Sequence, residues 1–191
     1  MTSSRYGWKK LSSKTVFENP WIRVEDHEVI NPSGRTSQYG KICFKNLAVA
    51  VLALDDDAQI YLVGQYRYTL GEYSWELPMG GAPLNEDTLT AAQRELREET
   101  GVSASNWREI MRVHLSNSVT DEAGVVFLAT GLTIGEPQPE DTEDLQIRKL
   151  PLDEALAWVH EGRITDAMSV AGILRLAADS DSLNRIQPGA D

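Results

Sequence analysis

Three glutamates lie close together in a stretch that has the composition of a helix. Residues 87–100 contain no glycine or proline and are rich in Ala, Leu, Glu, Arg and Gln, so they are predicted to form a helix that ends at Gly101. Glu95, Glu98 and Glu99 stand at positions i, i+3 and i+4, which places their carboxylates on one side of that helix. Because like charges at this spacing repel each other, the pattern predicts a bound cation.

An apolar stripe runs beside these carboxylates and predicts that the helix packs on a core. Leu89, Ala92 and Leu96 form the stripe, so the acids should border packed protein and not open water alone. The alternative is an ordinary solvated face, in which Arg94 and Arg97 neutralise two of the acids as surface ion pairs.

The spacing of residues 80–102 resembles the Nudix box, G-x5-E-x7-R-E-U-x-E-E-x-G-U, in which U is aliphatic. The fixed positions are all matched, by Gly80, Glu86, Arg94, Glu95, Leu96, Glu98, Glu99, Gly101 and Val102. The sequence is therefore similar to Nudix hydrolases, a family that hydrolyses nucleoside diphosphates linked to another group. The resemblance implies the Nudix fold, an α+β (mixed α/β) arrangement with a mixed sheet sandwiched between helices, and a loop, helix and loop that bind a divalent metal.

A divalent cation suits the chemistry that this resemblance implies. A diphosphate carries negative charge that repels an attacking hydroxide, so this charge must be neutralised first. Mg²⁺ prefers hard oxygen ligands such as carboxylates, so we expect Mg²⁺ as the cofactor, with Mn²⁺ as a substitute. A zinc site is not expected, because the cysteine and the histidines lack zinc-ligand spacing. These residues are Cys43, His27, His114 and His160.

The resemblance assigns roles residue by residue within the box. It implies that the metal ligands are Glu95, Glu98, Glu99 and the backbone carbonyl of Met79. It also implies that Arg94 and Glu86 form a pair that mainly braces the loop.

The wider layout is similar to the ADP-ribose and nucleoside-diphosphate-sugar pyrophosphatase branch of that family. The shared features are an N-terminal hairpin ribbon, a Q-Y-R segment at residues 65–67, an E-L-P-x-G segment at residues 76–80 and a long acidic loop after the box. The resemblance implies a nucleotide-sugar substrate, a nucleoside monophosphate and a sugar phosphate as products, and a homodimer in which the ribbon crosses to the partner. Arg67 matches an arginine that helps to hold the substrate's phosphates, a role that suits a guanidinium. A surface arginine at a strand end is the alternative.

The same branch implies a catalytic base in the loop at residues 116–123. Glu122 is the best match to the glutamate that activates the attacking water, and an ordinary acidic loop is the alternative. The segment at residues 115–118 departs from the prolines and glycine that are common there, which weakens the assignment to ADP-ribose specifically. The other candidate bases are Asp121, Glu140 and Glu143, and also Glu98 or Glu99 in the manner of other Nudix branches.

Two aromatic residues are candidates for binding a base or sugar. Tyr68 and Trp75 could stack on the substrate, and a core or dimer contact is the alternative for each.

Patterning predicts the elements that position these residues. Residues 15–30 and 36–46 alternate as the strands of a hairpin, residues 47–54 form a continuous apolar run typical of a central strand, and residues 80–81 are expected in a loop. Residues 1–14 are expected to be a frayed leader, residues 135–144 a surface loop and the chain from residue 179 loose. The domains follow as an N-terminal ribbon (1–46), expected to dimerise, a hydrolase domain (47–180) and a flexible tail (181–191).

The composition of the chain limits the classes of binding partner that we expect. The net charge of −11 over 191 residues argues against a nucleic-acid partner, which would need a clustered basic face. One cysteine and no long apolar run predict a cytoplasmic protein without a membrane segment. Two alternative functions stay open, a non-catalytic sensor of nucleotide sugars and a hydrolase of modified nucleoside triphosphates.

Overall fold

The computed structural model describes residues 7–137 and 144–186, with side chains described as far as residue 179. Within these residues the chain forms ten strands and three helices. The strands are β1 (Lys9–Glu18), β2 (Ile22–Ile30), β3 (Thr36–Phe44), β4 (Asn46–Ala53), β5 (Gln59–Arg67), β6 (Glu72–Glu76), β7 (Met79–Pro83), β8 (Val102–His114), β9 (Ala123–Ile134) and β10 (Gln146–Pro151). The helices are α1 (Thr88–Thr100), α2 (Leu152–His160) and α3 (Ala167–Ile186).

The strands form three sheets. Strands β1, β2 and β3 make an antiparallel sheet, which is the N-terminal ribbon. A four-stranded sheet has the order β7-β4-β9-β8, in which β4 and β9 run parallel and the other neighbours antiparallel. The third sheet has the order β10-β5-β6 and is antiparallel. The mixed sheet confirms the predicted α+β class.

Strand β4 contributes to a separate core on each of its two faces. Val49 belongs to the same buried cluster as Leu96 of α1, whereas Leu52 belongs to the cluster that contains Ile173 of α3. This division follows from the alternation of side chains along a strand. The sheet therefore lies between α1 on one face and α3, with α2 packed on it, on the other, as the sandwich arrangement predicts.

Three of the predicted boundaries are wrong in the N-terminal half. Residues 15–30 are not one strand, because β1 ends at Glu18 and β2 begins at Ile22. Residues 9–14 are not a frayed leader, because β1 pairs with β2 from Lys9 onward. All ten residues of β1 are exposed, so backbone pairing orders them and no buried apolar pattern marks them. Gly80 and Gly81 do not lie in a loop but pair with β4 as part of β7.

A further boundary differs at the C-terminal end. Helix α3 continues to Ile186, beyond the point where a loose tail was predicted. Residues 138–143 of the predicted acidic surface loop lie outside the described residues. No helix in the described part of the chain has the length and apolar character needed to cross a bilayer.

The end of α1 is fixed against the chain that leaves β9. Gly101 closes the helix with φ of 72°, and its N–H donates to the Arg97 carbonyl at 2.9 Å. The carbonyl of Gly101 in turn accepts from the Gly135 N–H at 2.9 Å. A Cβ at Gly101 would overlap the carbonyl oxygen of Gly135, so only glycine fits both the conformation and the space.

Replacing Gly101 with alanine should therefore destabilise the protein more than the same change at Gly162. Gly162 has a similar φ of 70°, but a Cβ there would meet nothing within 4 Å. Gly162→Ala should cost roughly 1 kcal/mol of unfolding free energy from the left-handed backbone alone. Gly101→Ala should cost a further ~1–3 kcal/mol from the overlap. Urea denaturation of both variants measures the difference, and equal losses would contradict the packing described for Gly101.

Candidate active site

Helix α1 carries the three glutamates that were predicted as metal ligands. Local sequence signals set both of its ends. Asp87 caps its start, where the side chain accepts from the Thr90 N–H at 3.0 Å. Gly101 ends it in the left-handed conformation. The helix buries Ala92 and Leu96 against β4 and its neighbours, which confirms that the apolar stripe packs on a core.

Arg94 contacts two acidic side chains of this helix and one that precedes it. Its Nη1 contacts Glu95 Oε1 at 2.8 Å and Glu98 Oε2 at 3.1 Å, and its Nη2 contacts Glu86 Oε2 at 3.3 Å. The same Nη2 donates to the Gly81 carbonyl at 3.1 Å. Burial opposes the charge on Arg94, but the three carboxylates raise its pKa well above the ordinary value. Arg94 is thus a brace between the helix and β7 and not a surface partner of Glu98 alone.

Glu99 is the most deeply buried of the three helix acids. It is 1% exposed, and its Oε2 accepts from the Met79 N–H at 2.9 Å. The Val51 N–H donates to the Pro78 carbonyl, so Ala50 and Met79 form a non-hydrogen-bonded pair and the polar backbone groups of Met79 face away from β4. The predicted backbone ligand therefore lies on the same side of β7 as Glu99.

These groups fit a divalent cation that prefers oxygen. Carboxylates and a backbone carbonyl are the hard ligands that Mg²⁺ takes. A Cβ at Gly80 would overlap the Glu95 carboxylate, so glycine is required for β7 to approach it. In the residues that the structure describes, no three acidic, histidine or cysteine side chains already stand in metal-ligand geometry. Arg94 instead holds Glu95 and Glu98, and the Met79 amide holds Glu99.

A cavity of about 330 Å³, lined by both charged and apolar residues, adjoins these acids through Met79, which lines it. Arg67 reaches the cavity from the end of β5 and forms a bidentate ion pair with Glu76, with Nε at 2.9 Å from Oε1. Glu76 is 3% exposed, so this carboxylate is buried beneath the guanidinium. Hydrogen bonding to Glu76 raises the pKa of Arg67 further, although burial opposes this.

Glu122 lines the same cavity, as the prediction of a base in this loop requires. Its pKa is raised, first because partial burial disfavours the charged form and then because the negative charge of Asp166 lies nearby. A carboxylate with a raised pKa is better suited to accept a proton than an ordinary surface glutamate. Asp166 also lines the cavity, and its side chain caps α3 by accepting from the Ser169 N–H at 2.8 Å.

The other candidate bases are placed differently. Asp121 turns away to β3, where Lys41 lies 2.6 Å from its Oδ2 and the Phe44 N–H donates to its Oδ1 at 2.8 Å. Burial alone would raise the pKa of Asp121, but these hydrogen bonds outweigh burial and lower it. Glu140 and Glu143 lie outside the described residues.

The structure does not bring the two predicted aromatic residues to the cavity. Tyr68 is 93% exposed in the turn after β5. Trp75 packs beside Trp158 of α2, with ring centroids 6.0 Å apart, and the Arg148 guanidinium lies 4.8 Å from its ring centroid. Side chains alternate along β6, so Glu76 faces the cavity and Trp75 faces α2.

Two charged residues of the cavity, Glu76 and Asp166, were not predicted as site residues from the sequence. Glu76 belongs to the E-L-P segment, where a charged residue between the apolar residues Trp75 and Leu77 was a usable signal. The local sequence around Asp166 has only the features of a helix cap, and nothing in it indicated that this side chain would line a cavity with Glu122.

Two known protein families match consecutive parts of the chain. Residues 44–168 match the model of the NUDIX domain, and residues 8–42 match that of the nucleoside diphosphate sugar hydrolase N-terminal domain. The chain is 38% identical to the ADP-ribose pyrophosphatase of Mycobacterium tuberculosis, over 97% of this chain and 90% of that protein. It is 30% identical to the methanol dehydrogenase activator of Bacillus methanolicus, over 86% of this chain and 90% of that protein.

A solved structure shows the same fold. The crystal structure of an ADP compounds hydrolase superposes with a TM-score of 0.84, covering 96% of this chain and 100% of that one at 19% identity. The match of residues 44–168 to the NUDIX domain and the 38% identity along nearly the whole chain show that the chain belongs to the Nudix family.

Proposed function

We propose that the protein hydrolyses the pyrophosphate bond of ADP-ribose or a related nucleoside diphosphate sugar and releases a nucleoside monophosphate and a sugar phosphate. The observation that carries this proposal is the cavity beside the acids of α1, which is lined by both Arg67 and Glu122. The match of residues 8–42 to an N-terminal domain of nucleoside diphosphate sugar hydrolases supports this substrate class over nucleoside triphosphates. The similarity to an ADP-ribose pyrophosphatase along nearly the whole chain supports it as well.

The acids of α1 and the backbone of β7 are proposed to hold the cofactor. Glu95, Glu98, Glu99 and the Met79 carbonyl would bind a divalent cation, for which we propose Mg²⁺ because all of these ligands are oxygen atoms. When bound, the cation neutralises diphosphate charge and lowers the pKa of a coordinated water. Arg94 holds the helix acids against β7, which keeps their carboxylates near Met79 before the cation arrives.

Arg67 is proposed to bind the phosphates. Its guanidinium is part of the cavity lining, and Glu76 fixes the plane of that group through two contacts. A guanidinium held in this way loses little side-chain entropy when it binds a phosphate oxygen. Glu76 is thus proposed to position Arg67 and not to touch the substrate.

Glu122 is proposed to be the general base. A water attacks one phosphorus, its proton passes to the Glu122 carboxylate, and the bridging P–O bond breaks so that the second phosphate leaves. The raised pKa of Glu122 suits this task. Asp121 is bound to Lys41 and Phe44, which disfavours it as the base.

We also propose that the protein is a homodimer that assembles through its N-terminal ribbon. The apolar residues Val16, Phe17 and Trp21 are 56%, 53% and 66% exposed in the single chain. Strand β1 lies at the edge of its sheet and buries none of its residues. Apolar side chains at an exposed sheet edge favour association with a second copy.

The substrate class is tested by a panel of ADP-ribose, GDP-mannose, UDP-glucose, diadenosine compounds and nucleoside triphosphates with Mg²⁺. We expect turnover of a nucleotide sugar, and loss of at least about a hundredfold in Glu99→Gln, because the variant removes a metal-ligand charge. The matched control is Glu109→Gln, which breaks the exposed ion pair with Arg112; neither residue lines the cavity, so the variant should keep wild-type turnover. Preference for triphosphates, or binding of nucleotide sugars without cleavage, would contradict the proposed function.

Glu122→Gln should lower turnover roughly 10²- to 10⁴-fold and leave substrate binding largely intact. Because burial raises the pKa of Glu122, the acidic limb of the wild-type rate profile should lie above pH 4.5, and the residual activity of the variant should lack this limb. A carboxyl whose pKa is raised in the folded state has a stability cost that begins as the pH rises through its unfolded pKa and is complete above its folded pKa. Glu122→Gln should therefore unfold at a higher temperature than wild type at pH 7, and this advantage should vanish below pH 4.5. Unchanged turnover would place the base elsewhere.

The dimer is tested by light scattering after size exclusion. Wild type should elute as a dimer, and the double variant Phe17→Ser with Trp21→Ser should shift towards the monomer because it removes apolar contact area. Ile134→Ser is the control, since Ile134 is 73% exposed but lies on β9 outside the ribbon. A monomeric wild type would contradict the proposal.

A further inference from the structure

The loop that carries Glu122 is bonded to β3 of the N-terminal ribbon. The Ile42 N–H donates to the Val119 carbonyl at 2.9 Å, and the Asp121 N–H donates to the Ile42 carbonyl at 3.1 Å. These two bonds make a short parallel bridge between β3 and the loop. The loop is therefore attached to an element more than seventy residues earlier in the chain.

Asp121 adds two side-chain contacts to this attachment, one from each carboxylate oxygen. Oδ1 accepts from the Phe44 N–H at 2.8 Å, and Oδ2 lies 2.6 Å from the Lys41 ammonium. We call the contacts of Asp121 with Lys41, Ile42 and Phe44 the ribbon clamp. Charge-assisted hydrogen bonds of this kind are stronger than neutral ones, so they limit the movement of the Asp121 backbone.

Adjacent residues of this loop face opposite sides. Asp121 binds β3, while Glu122 lines the cavity. On its other side the Glu122 backbone is closed onto the start of the loop, since its carbonyl accepts from the Leu115 N–H at 3.0 Å. Among the described residues, no hydrogen bond or ion pair of the structure reaches the Glu122 carboxylate. The position of the Glu122 carboxylate is therefore set by the Glu122 backbone, and the ribbon clamp holds that backbone.

We propose that Asp121 is a positioning residue for the reaction: by binding β3 it holds the Glu122 carboxylate at the cavity. This inference rests on the proposed role of Glu122 as the base. It assigns the ribbon a part in turnover within its own chain. A displacement of the base of about 1 Å is enough to cost on the order of a hundredfold in rate.

The chain offers a matched control in Asp55. This aspartate also accepts from backbone N–H groups, those of Asp57 at 3.0 Å and Gln59 at 2.8 Å, and it also pairs with a lysine, Lys149. It lies in the turn before β5 and binds Gln59, the first residue of that strand, whereas Arg67 is the last residue, ~26 Å from Gln59 for eight residues of extended chain. Asp55→Asn therefore removes the same kind of contact far from the cavity.

The test compares Asp121→Asn, Asp121→Ala and Asp55→Asn well below their melting temperatures. Asparagine can still accept from the Phe44 N–H but loses the Lys41 pair, and alanine loses both. We expect kcat on the best nucleotide sugar of the panel to fall about tenfold in Asp121→Asn and about a hundredfold in Asp121→Ala, with KM within about threefold of wild type. Asp55→Asn should keep wild-type kcat. Hydrogen exchange of residues 115–123 should speed up in the Asp121 variants only.

A second arm separates action through Glu122 from a general loss of structure. In a Glu122→Gln background, Asp121→Ala should lower kcat no further, because the group that it positions is already disabled. An additional hundredfold loss in that background would overturn the inference. So would wild-type kcat in Asp121→Ala, or unchanged hydrogen exchange of the loop, and in either case a strong effect of Glu122→Gln alone would leave the proposed function standing. If Glu122→Gln itself keeps wild-type turnover, both the proposed base and its positioning by Asp121 are overturned.

Discussion

One guanidinium, that of Arg94, joins acidic side chains of α1 to the chain before the helix and to β7. Arg94 contacts the carboxylates of Glu86, Glu95 and Glu98 and the carbonyl of Gly81. Without it, negative charges on adjacent turns of a helix would be pressed against a packed sheet, where repulsion is weakly screened. The same residue joins the helix to β7, so the spacing between the acids and the Met79 backbone depends on it. The glycine at position 80 completes this constraint by leaving room for Glu95.

The site is built where independent parts of the fold meet. Helix α1 and β7 supply the acids and a backbone carbonyl, β5 and β6 supply the Arg67 and Glu76 pair, and the loop before β9 supplies Glu122. Strand β4 connects them, because it pairs with β7 on one side and β9 on the other and contributes to the cores on both of its faces. The ribbon adds a further contact through β3. Rigid elements thus position groups that come from distant parts of the chain.

The box helix could be predicted from the sequence because its signals are local: a capping aspartate, an uninterrupted run of helix formers and a closing glycine. The cavity could not, since it depends on contacts such as the one from the Leu77 N–H to Ser169 Oγ, 92 residues away. Asp121 and Glu122 are neighbours with the same chemistry, and only the approach of β3 distinguishes them. Trp75 has an aromatic side chain that could stack on a ligand, but in the fold it packs on Trp158, which is distant in sequence. The exposed strand β1 carries no burial pattern to detect.

The charge of the cavity has a consequence for how ligands enter it. One cationic side chain, Arg67, stands among three carboxylates, those of Glu76, Glu122 and Asp166, so the lining carries a formal net charge of −2. This lining would repel an anionic diphosphate, and a cation held by the acids of α1 would reduce that repulsion. By thermodynamic linkage, the factor by which such a cation changes the affinity for the sugar nucleotide is also the factor by which the sugar nucleotide changes the affinity for the cation.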